Sequence, residues 1–319
     1  MSRRTIYNKI VQSGSRIPDE IGASGNKLVV ILGPTASGKT DLSIKLAFKF
    51  NGEIISADSR QVYKGLNIGS GKITQRQMRG IPHHLLDVAN PKRRFTVAQF
   101  QKGALQAIEK VQARGHVPFL VGGTGLYIQS VVDGTIFPNV KPSRALRARL
   151  AKKSVQELFN MLKKLDPVRA TNIDPRNPQR LIRALEIVLT TKKPVPTLYY
   201  NSRTYENNSI LQLGISTSKS KLKKAIQKRL LARLPKIIIE VKKLHKKGLS
   251  FKRLEELGLE YRFVAQYLQK KLNKPEMINI LQKEIWQYSK RQMTWFNRDK
   301  RIHWIRNKSE AEKLIKKFI

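Results

Sequence analysis

Residues 31–40 read ILGPTASGKT, between an apolar run at 27–32 and a helical pattern at 41–50. That order, strand then glycine loop then helix, constrains the fold more than any other feature of the chain. Gly33 and Gly38 let the backbone curl, so that N–H groups along Gly33, Pro34, Thr35, Ala36, Ser37 and Gly38 point into one concavity. The start of the helix adds partial positive charge, Lys39 adds a full one, and Thr40 adds a hydroxyl suited to a Mg²⁺. Such a P-loop grips a pyrophosphate. An accidental glycine turn would give no reason for Lys-Thr to follow.

The stretch around it alternates. Residues 27–32, 53–57, 84–88 and 116–121 read as short buried strands. Thr96 caps a helix carrying Val97, Phe100, Ala104, Ile108 and Val111 at helical spacing, stopped by Gly115. Alternation of this kind predicts a parallel sheet with ligands at the C-terminal ends of its strands. Gly33, Asp58 and the run Gly122, Gly123, Thr124 all fall at such ends. After Gly134 the character changes. Pro138 and Pro142 punctuate the chain, Ser154 and Glu157 form a capping box, and DPRNPQR at 174–180 leads into a helix through Leu181, Leu185 and Val188. A third stretch opens on a strand at 211–215. A long helix follows through Leu222, Ile226, Leu230, Leu234, Ile238 and Val241, ended by Gly248. Further helices are expected after Gly258 and over 276–298, and residues 302–305 read as an edge strand. The fold class is therefore α/β: a P-loop NTPase-like parallel sheet core (27–134 and 205–319) with a helical insertion (135–204), a helical C-terminal region and an N-terminal arm (1–26).

Charge narrows the partners. Lys and Arg number 63 against 22 Asp and Glu, a net charge of +41, where solubility needs only about 2 to 8. The excess points to a polyanion, most simply nucleic acid, with a general lysine bias of the source as the other contributor. There is no cysteine, which excludes disulfides, thiolate zinc sites and thiol catalysis. No apolar run reaches membrane-spanning length, and residues 1–26 lack the apolar core of a signal peptide, so a cytoplasmic protein is expected.

The strand at 118–121 ends in Gly-Gly-Thr-Gly, where a nucleoside triphosphatase carries a Mg²⁺-binding Asp. The bound pyrophosphate then reads as a leaving group rather than a group being transferred. Asp58, flanked by Ser59, Arg60 and Gln61, could accept a proton; capping a helix or standing in a metal's outer shell fits as well. The glycines before Thr124 suit a tight turn or a close approach to a ligand. Adjacent His83 and His84 on a strand point to opposite faces, which favours packing or hydrogen bonding over metal binding. Arg180 and Arg183 lie one turn apart beside Gln179, suited either to phosphate or to a solvated helix face. KRQMTWF at 290–296 could stack bases, or bury Trp295 and Phe296 while its cations snorkel.

GPTASGKT, ISADSRQVYKGLNIGSGK, PHHLLD, FLVGGTGLY, DPRNPQRLIRALE, GLEYR and KRQMTWF stand in the order and at the spacing of the tRNA dimethylallyltransferases, which the chain resembles from about residue 28 to about residue 304. The resemblance implies transfer of the five-carbon group of dimethylallyl diphosphate to N6 of adenosine 37 in tRNA, beside the anticodon. It implies that the P-loop holds the diphosphate with Mg²⁺, that Lys39 and Thr40 handle it, and that Asp58 is the general base. By the same match Asp58, Ser59, Arg60 and Gln61 meet the target base. Thr124, Arg147, the segment Gln179, Arg180, Leu181, Ile182, Arg183, and Arg262 meet the anticodon stem-loop. Two departures stand out: Gly258-Leu259-Glu260-Tyr261-Arg262 differs from the common Gly-Tyr form, and Gly69-Ser70-Gly71-Lys72 differs from the usual Gly-Thr-Ala-Lys. A monomer with no membrane contact is expected. Prenyl transfer to free adenine nucleotides and a P-loop small-molecule kinase are the alternatives.

Overall fold

A computed structural model describes residues 27–196 and 209–319. The arm 1–26 and the end of the insertion, from residue 197, lie outside the described residues. The chain divides into two compact units, one from Met1–Val132 with Tyr205–Ile319 and one from Asp133–Thr204.

The larger unit runs β1 (Leu28–Leu32), α1 (Lys39–Lys49), β2 (Gly52–Ala57), α2 (Gln75–Met78), β3 (His83–His84), α3 (Val97–Gln112), β4 (Val117–Gly122) and α4 (Gly125–Val132). The smaller unit holds α5 (Arg144–Leu150), α6 (Val155–Leu165), α7 (Pro167–Thr171) and α8 (Pro178–Thr191). The larger unit resumes with β5 (Ile210–Ile215), α9 (Lys219–Lys246), α10 (Phe251–Leu257), α11 (Leu259–Leu268), α12 (Lys274–Phe296), β6 (Ile302–Ile305) and α13 (Lys308–Phe318). The six strands found among the described residues form one parallel sheet in the order β3-β2-β4-β1-β5-β6. β1 and β2 are buried throughout, which is why they read as continuous apolar runs rather than alternating ones.

Register explains where chemistry gathers. Gly122 of β4 lies beside both Leu32 of β1 and Ala57 of β2. The chain leaving each strand therefore brings residue 33, residue 58 and residue 123 to one edge of the sheet. On one face, α3, α4, α9 and α12 bury Phe100, Ile128, Leu230 and Leu281; on the other, α1 and α13 cover Val29, Ile31 and Phe119.

The strand expected at 84–88 stops at His84. Leu85 and Asp87 adopt positive φ, 62° and 56°, which no extended strand accommodates. His84 Nε2 donates to Glu53 at 2.6 Å, and His116 and Arg114 reach the same carboxylate. Burial alone would raise Glu53, but these hydrogen bonds outweigh it and hold its pKa down to about 2. Hydrogen bonding is thus what this pair does here, His84 to Glu53 and His83 Nδ1 to Ile81 O at 2.8 Å. On α9 Ile237 is fully buried and Ile238 packs partly buried against the same core, because a 3.6-residue period drifts from a strict four-residue spacing over several turns. No helix among the described residues is long and apolar enough to cross a membrane.

In the smaller unit, Leu150, Leu158, Leu162, Leu181 and Leu185 form the core. Glu186 is wholly buried beside it and accepts from Ser143 N–H at 2.7 Å, from Arg147 Nε and Nη2 at 2.8 and 2.6 Å, and from Arg183 Nη1 at 2.6 Å. Burial raises the Glu186 carboxyl, and these donors overcome it to leave the pKa at about 2.

Candidate active site

The P-loop is shaped by three residues in unusual conformations. Gly33 and Gly38 have φ of 153° and 86°, and Ala36 has 61°. Gly38 serves as the N-cap of α1 with no side-chain cap, which leaves the first helical N–H groups for a ligand. Lys39 folds back and donates to Pro34 O at 2.6 Å. Burial drives its pKa down to about 7, the carboxylate of Asp58 pulls it up, and Arg229 pushes it down further. The ammonium of Lys39 thus lies within electrostatic reach of Asp58. Thr40 is exposed at the first turn.

Asp58 follows β2. One of its carboxylate oxygens, Oδ1, accepts from the N–H groups of Arg60 and Gln61 at 2.8 and 3.2 Å, an Asx turn that fixes the side chain. Ser59 N–H donates to Thr124 Oγ1 at 3.0 Å, which ties the end of β2 to the end of β4. Tyr288 of α12 shares a hydrogen bond with Thr124, and burial and the nearby Asp58 raise its pKa to about 12. Gln61 accepts from Ser56 Oγ at 3.1 Å and donates to Gly71 O at 3.4 Å. Arg60 is held by Leu257 O and Ser59 O. Lys39, Asp58, Thr124 and Tyr288 therefore surround one place: a cation and an oxyanion-binding loop on one side, a carboxylate and a polar floor on the other.

Sequence reading missed three parts of this assembly. Gln292, inside KRQMTWF, is buried. Its Oε1 accepts from Thr35 N–H at 2.9 Å and its Nε2 donates to Gly123 O at 2.8 Å, so it clamps the P-loop to the end of β4. The glycines of Gly-Gly-Thr-Gly make room for this. A Cβ on Gly123 would lie 2.4 Å from Gln292 Nε2, and one on Gly125 would lie 2.4 Å from Trp295 Cδ1. Phe296 belongs to the core and Trp295 caps Gly125, so this motif is chiefly a brace. Glu240 of α9 is the second part. Its carboxylate accepts from the N–H groups of Asn67, Ile68 and Gly69 at 3.0, 2.7 and 3.0 Å and from Tyr261 Oη at 2.9 Å. The third is Arg229, whose guanidinium comes close to Gly71 and lines a cavity with Thr35 and Ala36. Only an amide and a carboxylate at helical spacing hint at the first two, and nothing local marks the third.

The residues expected to meet RNA are placed unevenly. Gln179 and Arg180 are exposed at the first turn of α8, and Arg262 is exposed on α11. Arg147 and Arg183 keep about a third of their side chains exposed while Glu186 holds them. Leu181 is fully buried in the core of the smaller unit, so its side chain does not face outward, and Ile182 packs partly buried against that core.

Replacing Gln292 with Leu would leave Thr35 N–H and Gly123 C=O unpartnered. The variant is expected to lose about 1–3 kcal/mol of stability, read by urea denaturation; an unchanged midpoint would remove the clamp from the account.

A family described as IPP transferase matches residues 61–299. The chain is 39% identical to tRNA dimethylallyltransferase of Carboxydothermus hydrogenoformans over 92% of this chain and 96% of that one. It is 40% identical to the Anoxybacillus flavithermus protein of the same name, over 88% and 90%. Among solved structures it resembles the full-length tRNA isopentenylpyrophosphate transferase of Bacillus halodurans, at 36% identity and a TM-score of 0.65, covering 88% of this chain and 90% of that one. It also resembles a eukaryotic dimethylallyltransferase acting on tRNA, at 28% identity and a TM-score of 0.68, over 84% and 69%.

Proposed function

The chain belongs to the tRNA dimethylallyltransferase family, and from that premise we propose how its residues carry out prenyl transfer to tRNA. The donor is dimethylallyl diphosphate and the acceptor is N6 of adenosine 37, next to the anticodon. The observation that carries this reading is the P-loop cation Lys39 within electrostatic reach of the strand-end carboxylate Asp58.

An adenine amine is a weak nucleophile because its lone pair is delocalised into the ring. Asp58 takes the N6 proton as the new C–N bond forms to the first carbon of the dimethylallyl group. The C–O bond to that carbon breaks and diphosphate leaves with the electron pair. Lys39, Arg229 and the free amides of the P-loop stabilise the charge that develops on it. Thr124 and Tyr288 hold the polar wall beside Asp58. The target base must leave its stack to reach this place, as in other enzymes that modify a base.

The donor set also suits a Mg²⁺. Among the described residues no group of three acidic, His or Cys side chains could hold a metal by itself. The exposed Thr40 hydroxyl beside the P-loop would supply one hard oxygen ligand, and the diphosphate would supply others. When bound, the ion would neutralise charge on the diphosphate.

The direct test is incubation with labelled dimethylallyl diphosphate and unmodified bulk tRNA, then nucleoside analysis. Label in N6-dimethylallyl adenosine of tRNA supports the reading; label passing only to free adenine nucleotides would replace it. The net charge of +41 adds an expectation for binding. The affinity for tRNA should fall steeply with salt, by roughly 0.7 to 0.9 log units per decade for each phosphate neutralised. A flat titration would show that the charge serves something other than RNA.

A further inference from the structure

Arg229 and Arg233 lie one turn apart on α9, and both line the cavity that Thr35 and Ala36 of the P-loop open onto. Both come close to Gly71. A Cβ there would lie 1.9 Å from Arg229 Nη2 and 3.2 Å from Arg233 Nη1, and Gly71 has a φ of +66°. Any side chain there would have to displace the guanidinium of Arg229, so glycine at 71 and the two arginines fit each other.

The second arginine is left without full compensation. Arg233 Nη2 is buried and has no hydrogen-bond partner among the described residues, and the same holds for Ser37 Oγ in the P-loop. Glu260 is the acidic side chain lining the cavity. Its carboxylate and the two guanidiniums favour each other's charged forms across the cavity. Burial weighs most against the charged form of Arg233 and the like charge of Arg229 adds to it, while Glu260, Tyr261 and Glu240 favour it. A guanidinium nitrogen shut off from water without an acceptor costs stability, and an anionic ligand arriving beside it would supply that acceptor.

We propose that Arg233 is a further donor-binding residue, a second guanidinium one turn beyond Arg229 that closes on the diphosphate oxygens and is accommodated by Gly71. The proposal rests on the reading of the P-loop as the donor's diphosphate site. A guanidinium fork suits phosphate oxygens better than a second ammonium would.

The test compares wild type, Arg233→Met, Arg233→Lys and Lys39→Ala in the full chain, with inorganic diphosphate and Mg²⁺ as the probe. Arg233→Met should unfold at the same temperature as wild type or higher without ligand, because it removes a buried guanidinium nitrogen that has no acceptor. Its diphosphate affinity should fall about ten- to a hundredfold. The KM for dimethylallyl diphosphate should rise with it, and tRNA affinity should stay unchanged. Arg233→Lys should recover part of the loss. If Arg233→Met lowers the ligand-free melting temperature and leaves diphosphate affinity intact, Arg233 is structural and the proposal fails. If Lys39→Ala alone loses diphosphate, the P-loop reading stands and only this inference is lost. If wild type binds no diphosphate, both are lost.

Discussion

Asp58→Asn is expected to abolish prenyl transfer while leaving tRNA binding largely intact. Asn is close to isosteric, and its amide oxygen can still accept from the N–H groups of Arg60 and Gln61, so the turn after β2 survives. What disappears is the ability to take the N6 proton. Loss of a positioned general base costs about 10²- to 10⁴-fold, and single-turnover rates at saturating donor and tRNA measure it. A role as an anchor for Mg²⁺ gives a different signature: donor affinity falls as well, and extra Mg²⁺ restores part of it. Unchanged single-turnover chemistry would eliminate both roles. Asp87 is then the next carboxylate to test, although its ion pair with Lys72 at 2.6 Å gives it a competing duty.

Lys39→Ala should weaken diphosphate binding and slow turnover together. It removes the full positive charge of the loop, and losing one electrostatic contact to the developing anion costs about 2.7–4 kcal/mol in the transition state. The same lysine predicts a proton linkage. Its pKa in the free protein is about 7, lowered first by burial. A bound diphosphate favours the ammonium and shifts that pKa upward. Below about pH 7 the lysine is already charged and binding takes up no proton there. Above it, binding draws a proton from solution, so donor affinity should fall as pH rises through the value of the free protein. Calorimetry in two buffers of different ionisation enthalpy reads the uptake directly. A binding heat independent of buffer at pH 8, with wild-type turnover in Lys39→Ala, would exclude the loop as the donor site.

Much of the fold was legible because its signals are local. The glycine loop, the capping boxes at Thr96 and Ser154, the apolar runs of β1 and β4 and the edge strand β6 all depend on residues close in the chain. The false extension of β3 has a local cause too: Leu85, Leu86 and Val88 look like strand residues, and nothing in their side chains announces the left-handed backbone at Leu85 and Asp87. The braces of the site were illegible for the opposite reason. Gln292, Glu240 and Arg229 sit on helices where a polar residue ordinarily faces water. Their partners, Gly123, the amides of Asn67 to Gly69 and the backbone at Gly71, lie far away in the sequence. Leu181 and Arg183 show how residues of one motif can face different ways: Leu181 is buried in the core and Arg183 is held by Glu186.

The strand order also has a consequence for how the protein is made. β1 lies between β4 and β5, and Leu28 pairs with Ile210. Everything in Asp133–Thr204 is translated between those two partners. At roughly 5–20 residues per second, the ribosome spends some seconds on the smaller unit while one side of β1 has no strand to join. The first four strands can associate in that interval, but their sheet carries an open apolar edge until β5 emerges and a shorter-lived one until β6 does. Synthesis of this enzyme therefore passes through a stage in which a four-stranded part of the sheet must be kept from pairing with another chain.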